Sequence, residues 1–268
     1  MPAIRLQALR ERADVLYQTW EKGETPFFRA LEFTWQRFGF PGHKEGRNQL
    51  SDALPAYHVP KGVLHVMAQR WHQQLTHPEE RQKFLEALWR HPVLESKEAA
   101  ALLWTMQPHM EDEDVARFWR WYPETWANPS LRRVLLDMVA SRLARECTAS
   151  YSEPLFQRLE KAAPEQLPHL LPLFLPLLHV PAFDDFPRLR THFTPWLSPP
   201  AAEALPEWAA LLRALFRRWP GEVMPWIRQL VHRHGGEPWA WLLRRLYPWL
   251  EEPWQSRVRA LAREIQTD

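Results

Sequence analysis

Three arginine doublets, Arg132-Arg133, Arg217-Arg218 and Arg244-Arg245, are the residues whose type and spacing speak most directly of chemistry. A guanidinium makes directional, two-pronged bonds to phosphate, and tryptophan, present 16 times, offers a flat face to a base or a cation. Doublets recurring once per helical unit could line one face and follow a nucleic-acid backbone. The same residues also fit a robust core: tryptophan at helical spacing is usually buried, and only 6 of the 34 basic residues are lysine. The net charge of +2 provides no global basic field, so any binding face must be local.

Other chemistries find little support. Twelve histidines form no His-Glu-x-x-His pattern, and the single Cys147 cannot build a thiolate site, so no metal is expected. Gly39, Gly42 and Gly46 have the wrong spacing for a phosphate loop, and Gly-x-Ser-x-Gly is absent; no cofactor is expected. The acidic run from Glu111 to Asp114 reads as a helix start, where carboxylates meet exposed N–H groups. Arg133, Asp137 and Ser141 fall on one side of an inferred helix, opposite an apolar stripe of Leu131, Val134, Leu135, Met138 and Val139. The plain account of Arg133 and Asp137 is an intrahelical ion pair.

The elements that position these residues are helices. Apolar residues recur at a helical period almost throughout, with strand-like alternation nowhere clear. Helical patterns run over residues 6–20, 27–38, 60–75, 79–90, 95–107, 112–122, 129–147, 152–163, 165–179, 185–194, 200–218, 221–234, 237–247 and 253–266; residues 40–58 break the pattern. Twenty-six prolines punctuate the chain against eight glycines, implying short helices joined by short turns. Two helices and two turns make a unit of roughly 35–45 residues, the period of HEAT-like repeats. An all-α solenoid, as one domain over 1–268, is the favoured architecture; a compact irregular helical domain is the alternative. Aromatics at 13% exclude low-hydrophobicity disorder, and the lone cysteine excludes a disulfide scaffold. Charges interrupt the first 30 residues, and Leu170–Val180 is too short and proline-rich to span a bilayer, so a cytoplasmic, soluble monomer is expected.

Residues 57 to about 143 resemble the HEAT-repeat DNA alkylation repair glycosylases, the AlkD-like family. "YHVPKGVLHVMAQRWHQQL" is similar to that family's early turn and helix. "FLEALWRHPVLESKEAAALLWTM" carries its Leu-Trp helix end (Leu88-Trp89), then Glu95, then Ala99-Ala100-Ala101 leading into Leu102-Leu103. The tail "LEEPWQSRVRALAREI" is similar to the family's closing repeats. The resemblance implies helix pairs whose concave face grips duplex DNA, and hydrolysis of the N-glycosidic bond of alkylated purines without obligatory base flipping. It places the catalytic carboxylate at Asp137, and the doublets become phosphate contacts. The family's tryptophan one turn before that carboxylate is Arg133 here; Trp126 lies just upstream, and Trp254 falls several residues early for the family's second tryptophan. Three functions stay open: a glycosylase for alkylated purines, a non-catalytic DNA-binding relative, and a solenoid that binds a protein partner through an apolar groove.

Overall fold

The computed structural model describes residues 6–39 and 54–267; most of the 40–58 break therefore lies outside the described residues. These are all-α, with no strand among the described residues. They form two compact units, up to Arg142 and from Leu143 onward, each described by itself. No described helix is long and apolar enough to cross a membrane.

The first unit contains α1 (Leu6–Trp20), α2 (Glu24–Phe38), α3 (Lys61–Gln74), α4 (Pro78–Arg90), α5 (Leu94–Thr105), α6 (Asp112–Trp121) and α7 (Pro129–Val134). A π-helical turn, Leu135–Ala140, follows directly and leads into α8 (Ser141–Glu146). α1 lies on α3, α3 on α5, and α5 on α7 and the π turn, while α2 packs on α1 and α4 on α5. Aromatic residues fill the seams: Trp20, Phe27, Trp71 and Phe84 meet edge to face, and Trp89 stacks on Trp121 at 4.2 Å. Leu9, Ala13 and Leu16 are buried as the α1 stripe requires, whereas Leu6, in its first turn, stays exposed. The acidic run does start a helix: Glu111 caps α6, and Asp114 answers with a bond from the Glu111 N–H at 3.0 Å.

The second unit holds α9 (Thr148–Glu160), α10 (Leu167–Leu170), α11 (Phe174–Leu178), α12 (Phe186–Phe193), α13 (Leu205–Arg218), α14 (Pro220–His234), α15 (Glu237–Leu246) and α16 (Trp254–Thr267). Two expectations need correction. The single helix expected over 165–179 is a chain of short α and 3₁₀ turns, because Pro168, Pro172 and Pro176 each remove an N–H and crowd the carbonyl four residues back. Leu167, Leu171, Leu173, Phe174 and Leu177 nonetheless stay buried. Conversely, α9 runs through Pro154 and begins four residues earlier than expected. The buried Tyr151, whose hydroxyl donates to the Leu173 carbonyl at 3.0 Å, outweighs the proline's cost of about 3 kcal/mol. α14 stops where Gly236 takes φ +101°, a conformation open to glycine.

Candidate functional site

Asn128 starts the helix that carries Asp137. Its side-chain oxygen accepts the Leu131 N–H at 3.1 Å, and Pro129 occupies the first position, where its missing donor costs nothing. A straight helix would bury Leu131, Val134, Leu135, Met138 and Val139. Instead the π turn widens the backbone, Val134 and Met138 are half-exposed, and Ala140 joins Leu131, Leu135 and Val139 in the core. The Ser141 hydroxyl donates to the Leu136 carbonyl, five residues back, at 3.3 Å. Such single π turns inside helices are rare and concentrate at functional positions.

Asp137 sits in this turn and faces water. Its side chain is 63% exposed and that of Arg133 80%, with Nε donating to Oδ2 at 3.3 Å. An exposed pair at this spacing contributes about 0.3–0.5 kcal/mol, and the base-before-acid order is the weaker one. Arg133 therefore holds the carboxylate only loosely, and Asp137 stays accessible to a large ligand.

Beneath this helix lies a feature that sequence reasoning missed. In "LESKEAAALLW", Glu95, Lys97 and Glu98 are all buried, at 2%, 7% and 7% exposure. Glu98 Oε1 accepts the Ser130 hydroxyl at 3.1 Å, tying α5 to the first turn of α7. Burial raises the Glu98 pKa; the Ser130 bond opposes this, Glu95 adds to it, and Lys61 opposes it. Glu95 Oε1 accepts the N–H groups of Tyr57 (2.7 Å) and Val59 (3.4 Å), fastening the extended Val-Pro segment. Lys97 Nζ donates to the Trp89 carbonyl at 2.5 Å and to Glu124 at 3.2 Å, and lies 4.6 Å from the Trp89 ring centroid. The available signal was three ionisable residues opening a helix that is otherwise apolar on every side.

The doublets separate residue by residue. Arg218 is half-buried and donates to the carbonyls of Leu178 (2.8 Å), Val180 (2.8 Å), Pro181 (3.0 Å) and Phe183. Arg142 does the same in the first unit, for Thr105, Gln107 and Pro108. Arg244 pairs with Glu237 at 2.5 Å. Their neighbours Arg217 and Arg245 are exposed, and their charges converge on Arg213. Arg132 is half-buried beside Arg133, and Trp126 is half-buried just after a 3₁₀ turn, Tyr122–Thr125.

Residues 43–161 match the family of DNA alkylation repair enzymes. The match covers less than half of the chain and contains α3 to α9, the buried Glu95 and Glu98, Ser130, and the turn with Asp137. It supports DNA alkylation repair as the class of function. Among curated proteins and among solved structures, no significant match was found.

Proposed function

We propose that this protein is a DNA alkylation repair protein of the AlkD-like type, a single domain of HEAT-like helical repeats that binds duplex DNA and hydrolyses the N-glycosidic bond of alkylated purines. The observation that carries this reading is Asp137, an exposed carboxylate on a π turn inside the segment that matches the repair family. Two features favour repeats: helices stacked side by side in the first unit, and an arginine that clasps carbonyls of an earlier turn in each unit.

The chemistry is consistent with exposure. An alkylated purine such as 7-methylguanine is cationic, so its leaving needs no added proton. As the glycosidic bond breaks, its electron pair neutralises the base, and positive charge develops on the sugar. A carboxylate beside that sugar stabilises the charge and takes a proton from the attacking water. A carboxylate acting on a base still within the duplex must project from the protein surface, as Asp137 does. Arg132 and Arg133, with Arg217 and Arg245, supply phosphate contacts; Arg218 and Arg244 are engaged within the fold. Trp126 supplies an aromatic face beside the turn.

A second reading, a non-catalytic DNA-binding relative, is favoured by one observation: Arg133 stands where the family has tryptophan and pairs with Asp137. Asp137→Asn separates the two. The enzyme reading expects release of 7-methylguanine to fall about 10²–10⁴-fold with duplex affinity retained; the other expects no release from either protein.

A further inference from the structure

Trp249 is 59% exposed, at the end of the 3₁₀ turn Tyr247–Trp249 that follows α15. The Arg213 guanidinium lies 5.2 Å from its ring centroid. Arg213 and Arg217 are four residues apart on α13, about 6 Å along one helix face. α13 packs on α15, which brings Arg245 to the same place. The positions are close enough that burial, then the charges of Arg245 and Arg217, lower the Arg213 pKa. Among the described residues none of these three arginines is ion-paired. Arg213 Nε donates to the Ala209 carbonyl, leaving its other donors for a ligand. The nearby Glu252 is turned towards the Ser256 hydroxyl, at 2.7 Å. Arg259, 5.0 Å from the Tyr247 ring centroid, extends the cationic and aromatic surface.

Three like charges held together without a carboxylate are unfavourable unless an anion joins them. Planar guanidiniums suit phosphate oxygens, and an exposed indole suits a flat ring. Duplex phosphates would satisfy the arginines but leave the indole unused, because paired bases are stacked inside the helix. An unpaired base uses both, as in single-strand sites that combine a basic groove with an aromatic platform. We propose that Arg213, Arg217, Arg245 and Trp249 form a binding site for a single-stranded segment of DNA, its phosphates on the guanidiniums and one base on the indole. The proposal rests on the nucleic-acid part of the reading above, and not on catalysis by Asp137.

The test is fluorescence anisotropy of a labelled oligothymidylate and of a labelled blunt duplex, with wild-type protein, Trp249→Ala, Trp249→Phe and Arg217→Gln/Arg245→Gln. Trp249→Ala should weaken single-strand binding about tenfold with little effect on duplex binding, and Trp249→Phe should restore most of it. The arginine pair should lower the single-strand salt slope by about 0.7 per lost phosphate contact. All three variants change exposed side chains, and an unchanged thermal melt establishes that they fold. Equal single-strand affinity in wild type and Trp249→Ala, or an unchanged salt slope in the arginine variant, overturns the proposal. Release of 7-methylguanine without oligothymidylate binding refutes this site alone. Oligothymidylate binding without base release refutes the catalytic reading alone.

Discussion

Replacing Arg218 by alanine removes a side chain that holds four carbonyls between α11 and α12. The Pro181 carbonyl is exposed, so water takes the place of the guanidinium there. The carbonyls of Leu178, Val180 and Phe183 are part-buried, and each loses a charge-assisted bond. At about 1–1.5 kcal/mol net per bond, the three together come to about 3–4 kcal/mol. The side chain also lies over the Trp219 ring at 4.6 Å, and Trp219 in turn donates to Asp184 at 2.8 Å, so the turn loses two supports at once. Arg244→Ala is the matched control. Its pair with Glu237 is exposed on both sides, 45% and 79%, and contributes between about 0 and 1 kcal/mol. Thermal unfolding followed by far-ultraviolet circular dichroism should show Arg218→Ala lowered by about 10 °C, at about 2–4 °C per kcal/mol, and Arg244→Ala by about 3 °C or less. Equal shifts for the two variants would refute the division of the doublets into clasping and exposed members.

Glu98 is stabilised in its neutral form, since burial raises its pKa in the folded protein. A raised folded pKa gives a contribution that is present below the unfolded value, about 4.3, and lost as pH rises through the folded value. Urea unfolding at a series of pH values should therefore show wild type gaining stability relative to Glu98→Gln as pH falls through that window; a difference independent of pH would contradict the burial argument. Tyr17 is pushed up to about 12 by burial and by its bond to Glu80 at 2.7 Å. Its contribution to stability is present below about 10 and lost as pH rises through about 12. Ultraviolet titration of phenolate formation should lose a step near 12 in Tyr17→Phe; loss of a step near 10 would contradict the assignment.

Most helices were legible because apolar period and proline position act locally. The pattern expected over 129–147 appears as one helical run over 129–146. Its π turn was not legible, because no residue type encodes an extra residue per turn; the buried set alone shows that Val134 and Met138 have rotated outward. The proline-rich run from 165 to 179 misled in the opposite direction, since its apolar period continues through a backbone that prolines break. The doublets show a further limit. Adjacent helical residues point in directions far apart, so Arg217 reaches solvent while Arg218 reaches four carbonyls, though their letters are identical. Glu98 escaped attention because a buried charge is recognised only once its partner, here Ser130, is placed beside it.

Base release from methylated duplex DNA tests the central claim most directly. Wild-type protein is predicted to liberate free 7-methylguanine and leave an abasic site, and Asp137→Asn is predicted to bind the same duplex while releasing about 10²–10⁴-fold less. Undiminished release by Asp137→Asn, or none from the wild type, would contradict the account.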